Sequence, residues 1–218
     1  MRHNPPVSTS GRCYLVRHGQ SEWNVLELTQ GQTMAPPLTE LGREQARTAA
    51  ELIRADLEPG ARVAIVRTSD LVRARETAEL LLDLLGGELI LDVRLREQHL
   101  GDLEGRSYAE TWAAAEAHDW SDPHLPVAGG ESPHELRTRI AAAVDEVDAD
   151  AVTVLVSHGD AIRAAVAHLA GVPIEEAPWV DVPNGAVARL GEGGVVWLSR
   201  TAAGTAPDAR RVGATARQ

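Results

Sequence analysis

Apolar residues in this chain follow two rhythms, and the changes between them set out the elements. Short apolar runs mark four strands, of which the first and last read as buried on both faces. They are Cys13 to Val16, Val63 to Val66, Leu89 to Leu91 and Val152 to Val156. Between the runs, apolar residues recur every three or four positions, which is the helical period. Thr39 is a good N-cap for a helix from Glu40 to about Leu57, where Glu58-Pro59-Gly60 stops it. Ser69 or Asp70 caps a second helix through Leu85, ended by Gly86-Gly87. The pattern weakens from Arg94 to Gly130 and predicts one helix there, about Ser107 to His118. Ser132 caps a helix reaching about Val147, and Gly159 opens another through Leu169. Ala186 to Leu190 and Val195 to Leu198 read as a hairpin around Gly191-Glu192-Gly193-Gly194.

Strands alternating with helices predict an α/β fold, a three-layer sandwich with a mostly parallel sheet and helices on both faces. Residues 12–200 are expected to form one domain, with a loose arm over 1–11. Residues 201–218 are rich in Ala, Arg and Gly, lack apolar periodicity, and are expected to be disordered. Gly19 to Pro37 is a long connection, and long connections in compact domains are often functional.

Two of the strands end alike. Leu15-Val16-Arg17-His18-Gly19 and Leu155-Val156-Ser157-His158-Gly159 each run from apolar residues straight into a histidine and a glycine. In open α/β sheets, ligands gather at the carboxyl ends of strands. If strands one and four are neighbours, with two and three stacked outward from strand one, both histidines flank the switch point. Arg17 offers a planar fork suited to phosphate or carboxylate oxygens. A neutral imidazole attacks phosphorus well if its other nitrogen is held as a donor. Gly19 permits close backbone approach, and the first amides of a helix opening at Gly159 favour an anion.

Charge and composition narrow the chemistry. The net charge of -11 excludes nucleic acid and anionic membranes as expected partners. No apolar run approaches bilayer length and no signal peptide is read. The single Cys13 permits no internal disulfide, which fits a reduced, cytoplasmic setting. All 21 basic residues are arginine. Without lysine there is neither a Walker P-loop nor a Schiff-base mechanism. No metal site is read, because His118, His124, His134 and His168 lack ligand-like spacing. The glycines at 191–194 open no helix and form a turn, not a dinucleotide loop.

The motif Leu15-Val16-Arg17-His18-Gly19-Gln20-Ser21-Glu22-Trp23-Asn24 resembles the signature of the histidine phosphatase superfamily, also called phosphoglycerate mutase-like. The resemblance continues in order. It runs through Pro37-Leu38-Thr39, Ser69 to Ala78, Leu95 to Gly105, Gly129-Gly130-Glu131-Ser132 and Val156 to Asp160. It implies that His18 attacks a phosphoryl group and carries it as phosphohistidine. Arg17, Arg73 and His158 would hold the phosphoryl oxygens, with Asn24 at the pocket edge and Gly159 beside the anion. Glu97 would be the general acid and then the base, with a pKa raised by burial or by phosphate charge. No cofactor or metal is implied. Taken singly, Arg73 on a helix start reads as a solvated charge and Glu97 as a surface carboxylate; the order of motifs gives them function. Arg75 is read as solvated, His99 as structural or pocket wall, and Trp112 as packing; Trp120 is left open.

The resemblance implies a phosphomonoesterase acting on a small phosphorylated metabolite. The alternatives are a cofactor-dependent phosphoglycerate mutase, a phosphoprotein phosphatase, and a non-catalytic phosphate-binding domain. Mutases of this family carry Glu-Arg-His-Tyr-Gly where this chain has Glu97-Gln98-His99-Leu100-Gly101. Losing that arginine removes a cation for a substrate carboxylate and favours the phosphatase. The acidic stretch Tyr108 to Asp122 also reads as a poor match for a second anionic group. The family's acidic residue before Pro-Leu-Thr is absent, since Met34-Ala35-Pro36-Pro37 stands there, so that loop is expected to take its own path. The oligomeric state stays open, a homodimer included.

Overall fold

The computed structural model describes residues 13–173, 176–191 and 194–199. The expected arm at 1–11, the tail at 201–218 and the tip of the last hairpin lie outside the described residues. Six strands form one sheet: β1 (Cys13–Arg17), β2 (Val63–Thr68), β3 (Glu88–Leu91), β4 (Val152–Ser157), β5 (Val187–Gly191) and β6 (Gly194–Ser199). Their order is β3-β2-β4-β1-β5-β6. The β1, β2, β3 and β4 pairings are parallel, and β5 joins β1 antiparallel. The helices are α1 (Glu22–Val25), α2 (Glu40–Asp56), α3 (Val72–Leu85), α4 (Tyr108–Ala117), α5 (Pro133–Asp145) and α6 (Gly159–Leu169).

Strands one and four are neighbours as the strand ends imply, but strands two and three stack outward from β4, not from β1. Strand β4 is buried along its whole length and β1 along nearly all of it, so the composition of these two central strands carries no record of which neighbour each takes. The alternation of side chains across β1 separates two cores. Cys13 and Leu15 face Ile140 and Val144 of α5 and Ile162 and Ala165 of α6. Tyr14 and Val16 face Ala49 and Ile53 of α2 and Ala74, Ala78 and Leu81 of α3. Helices therefore cover both faces of a mostly parallel sheet.

The helix starts follow the capping residues except at α3 and at α6, whose N-cap His158 makes no side-chain cap bond. Thr39, Ser107 and Ser132 each accept a backbone N–H at N3, and Ser107 and Ser132 form capping boxes with Glu110 and Glu135. Helix α3 starts later than expected. Its N-cap is Leu71, without a side-chain bond, because Asp70 is drawn to Arg96 at 2.6 Å. Helix α1, inside the long connection, was not expected from periodicity. Its signal is a capping box between Ser21 and Asn24.

Candidate active site

Four strand-end segments meet at the carboxyl edge of the sheet. Arg17 pairs with Ser157 in the β1–β4 register, so His18 and His158 leave adjacent strands side by side. Their ring centroids lie 5.0 Å apart. Both are buried, at 2% and 0% exposure. Arg73 arrives from the start of α3 after β2, and Glu97 from the turn after β3.

His18 is held in one tautomer. Its Nδ1 lies 2.7 Å from the Gly19 carbonyl, which can only accept, so Nδ1 carries the proton and Nε2 keeps its lone pair. Burial, followed by the charges of Arg73 and Arg17, holds the ring well below its ordinary pKa and therefore neutral. The same causes, with His18 and Arg139 added, hold His158 low. The turn at His18 is built on contact between backbones. A Cβ on Gly19 would sit 2.1 Å from the Gly42 carbonyl oxygen at the start of α2. The Gly19 amide donates to Thr77 Oγ1, which itself donates to the Arg73 carbonyl, tying this turn to α3.

The Arg73 side chain is almost fully buried and is pinned by the long connection. Its Nη1 and Nη2 donate to the carbonyls of Thr33 and Gly31. The connection meets Arg73 through its backbone. Around Met34 it is fastened to α3 by the Val72 amide on the Met34 carbonyl and by Glu76, which accepts from the Leu38 amide. Arg17 donates from Nη1 to the Val182 carbonyl at 2.5 Å. Arg17 Nε, Arg73 Nε and both ring nitrogens of His158 are buried without a hydrogen-bond partner. The two guanidinium Nε–H groups and the one protonated nitrogen of neutral His158 are buried donors that call for an acceptor, and they belong to three residues around His18.

Glu97 spans the site to α6. Its Oε1 accepts from the amides of Gln98 and Ala161 and its Oε2 from that of Asp160. The α6 amides expected to meet an anion directly are thus engaged by Glu97. Gly159 sits between the two functional groups: a Cβ there would be 3.6 Å from Glu97 Oε2 and 3.8 Å from Arg17 Cζ. Burial and the nearby Asp160 charge raise the Glu97 pKa, against the pull of its amide donors and Arg17. Asn24 is reached as well. Its Oδ1 accepts from Asn184 and Ser21, and its Nδ2 donates to the Tyr108 hydroxyl.

Several residues at the site carry no sequence signal of their own. Asn184 reaches from the loop before β5 to the His18 carbonyl at 3.3 Å and to Asn24. Tyr108 accepts from Asn24 Nδ2 through its hydroxyl at 3.2 Å. Glu104 accepts the Gln32 and Leu100 amides and closes the loop around Gly31. Gln98 turns inward, donating to the Glu131 carbonyl, so its side chain is spent on the frame. The acids of the 108–122 segment face solvent, with Glu110, Asp119 and Asp122 engaged in local caps and turns. Their charge therefore says nothing about the pocket. Arg75 is exposed and pairs with Glu79, as read. His99 is exposed with Nε2 3.8 Å from Glu104, Trp112 packs near Tyr108, and Trp120 donates to the Ala115 carbonyl. Among the described residues, no group of three or more His, Cys, Asp or Glu side chains is arranged to hold a metal ion. Among them also, no helix is long and apolar enough to cross a membrane.

Comparison with known proteins gives the class: residues 13–201 match the model of the histidine phosphatase superfamily (branch 1), and the chain belongs to that family. Among its relatives is a Photorhabdus laumondii protein named "Probable phosphoglycerate mutase GpmB". It is 35% identical over 195 residues, spanning 85% of this chain and 87% of that one. Another is the glucosyl-3-phosphoglycerate phosphatase of Mycolicibacterium vanbaalenii, 38% identical over 184 residues and 77% of each chain. The solved structure of a mycobacterial glucosyl-3-phosphoglycerate phosphatase with VO3 superposes with a TM-score of 0.72. It has 32% identity and covers 86% of this chain and 96% of that one.

Proposed function

We propose that this protein is a phosphomonoesterase that hydrolyses a small phosphorylated metabolite through a phosphohistidine on His18. One observation carries the reading. A tautomer-fixed, neutral imidazole lies 5.0 Å from a second one, among buried arginine and histidine nitrogens that lack partners. Phosphoryl transfer is mostly positioning and charge stabilisation, which these groups supply without a metal.

His18 Nε2 attacks phosphorus in line and forms the N–P bond as the bond to the leaving oxygen breaks. Arg17, Arg73 and His158 hold the phosphoryl oxygens, with Asn24 and Gly159 at the edge. Glu97 gives its proton to the leaving oxygen, so an alcohol departs. The Glu97 carboxylate then takes a proton from water as that water attacks the phosphohistidine. Inorganic phosphate leaves, and His18 and Glu97 return to their starting states.

Mixing enzyme with a 32P-labelled phosphate ester and quenching with alkali should trap a base-stable, acid-labile label on His18. His18→Ala should lose both label and turnover while remaining folded; full turnover in that variant would refute the nucleophile. The mutase reading is favoured by the name of the Photorhabdus relative and opposed by the missing cation at Gln98. Interconverted phosphoglycerates, in place of released inorganic phosphate, would decide for it.

A further inference from the structure

Arg139 lies on α5, a helix that contributes no side chain to the phosphate-binding group. Its guanidinium is nevertheless fully engaged with the segment that carries Glu97. Nη1 donates to the carbonyls of Arg94 at 2.8 Å and Arg96 at 2.6 Å. Nη2 donates to the carbonyl of Glu97 itself at 2.7 Å. Nε and Nη2 also grip the Glu131 carboxylate, at 2.6 and 2.7 Å. The two side chains are 19% and 13% exposed, so water competes poorly for these bonds.

Glu131 completes the hold from its own backbone. Its amide donates to the His99 carbonyl at 2.7 Å, and its carbonyl accepts from Gln98 Nε2 at 2.9 Å. The two loops touch without intervening side chains. A Cβ on Gly130 would lie 2.2 Å from the His99 carbonyl oxygen, and one on Gly101 2.0 Å from that of Ala128. From the sheet side, Ser157 Oγ donates to the Leu95 carbonyl at 2.7 Å.

We propose that the Arg139–Glu131 pair is a positioning clamp that sets Glu97 for proton transfer to the leaving group. The inference rests on the acid role of Glu97 given above. Proton transfer depends on heavy-atom distance, and a displacement near 1 Å costs about 100-fold. Every bond that the pair makes to the 94–99 segment ends within three residues of Glu97, and one ends on Glu97 itself. A lysine at 139 has neither the planar fork nor enough directed donors to replace the arrangement.

A structural pair and a positioning pair differ in leaving-group dependence. An alkyl phosphate leaves poorly and needs the acid, whereas p-nitrophenyl phosphate leaves readily and needs it little. kcat/KM is compared on both esters for the wild type and for Glu97→Gln, Arg139→Met, Arg139→Lys and Glu131→Gln. Glu97→Gln should lose roughly 100-fold or more on the alkyl ester and far less on the aryl ester. Arg139→Met and Arg139→Lys should show the same selectivity, at roughly 10- to 100-fold on the alkyl ester. If Arg139→Met does not fold, the milder Arg139→Lys and Glu131→Gln variants carry the same comparison. Equal loss on both esters in the clamp variants, with Glu97→Gln selective, overturns the clamp alone. A Glu97→Gln variant without selectivity overturns the acid assignment and the clamp with it.

Discussion

Acidification should destabilise this protein earlier than its carboxylates require. In the folded protein His18 and His158 stay neutral, held low by burial and by Arg73 and Arg17. In the unfolded chain each titrates near 6.5. Below that value the unfolded chain binds two protons that the folded protein refuses, so stability falls as pH falls. Each group contributes about 1.4 kcal/mol per pH unit there, and the pair costs about 2.7 kcal/mol between pH 7.5 and 5.5. Glu97 works in the opposite direction. Burial and Asp160 raise its pKa, so ionising it costs stability as pH rises and lowering the pH recovers that cost. Carboxylates held low, such as Asp70 and Asp92, lose their contribution only below their ordinary value of 3.8, outside this window. The assay is urea unfolding at several pH values between 5.5 and 7.5 in phosphate-free buffer. The full two-histidine effect corresponds to a Tm drop of roughly 5–10 °C for a chain of this size. His158→Gln removes one titrating group and should flatten the slope by about 1.4 kcal/mol per pH unit below 6.5, whatever it does to absolute stability. An unchanged slope in that variant would show that His158 is not buried neutral, and the electrostatic account of the site would fall.

Asp160→Asn removes a negative charge beside Glu97. The alkaline limb of the kcat/KM profile should then move to lower pH; no movement would separate Asp160 from the acid. Gly19→Ala places a methyl group 2.1 Å from a backbone oxygen that cannot swing aside. It should cost roughly 2–4 kcal/mol by thermal or urea unfolding, and a wild-type Tm would refute the Gly19–Gly42 contact. A chelator such as EDTA should leave hydrolysis of an aryl phosphate unchanged; lost activity that zinc or magnesium restores would bring back a metal mechanism.

The strands and most helices were legible because period and caps are local properties. Thr39 and Ser132 cap as read, since each bond spans only three residues, and Ser107, read only as a helix start, caps in the same way. The two histidines were legible for a related reason: each sits where an apolar run stops at a glycine. Arg73 and Glu97 were legible only through the order of the family's motifs, because nothing in a lone arginine or glutamate reveals that it will be buried. Sheet order was not legible, since a strand covered on both faces reads the same beside β1 as beside β4. Asn184, Tyr108 and the Arg139–Glu131 pair act across 42 to 166 positions or through one partner, distances at which spacing carries no signal. The capping box at Ser21 was present as a pattern, but it marks a helix of one turn, too short for periodicity to register.

The pairing of Arg17 with Ser157 turns hydrogen-bonded strand spacing into a chemical ruler. The separation of the two strand ends is set by backbone geometry common to all parallel sheets, and the bond from His18 Nδ1 to the Gly19 carbonyl then orients its ring. Loops beyond that edge can be rebuilt for a bulkier or smaller ester without resetting the gauge. In an engineered variant, retargeting should therefore start in the 109–125 segment and leave untouched the two strand ends and the connection whose carbonyls pin Arg73.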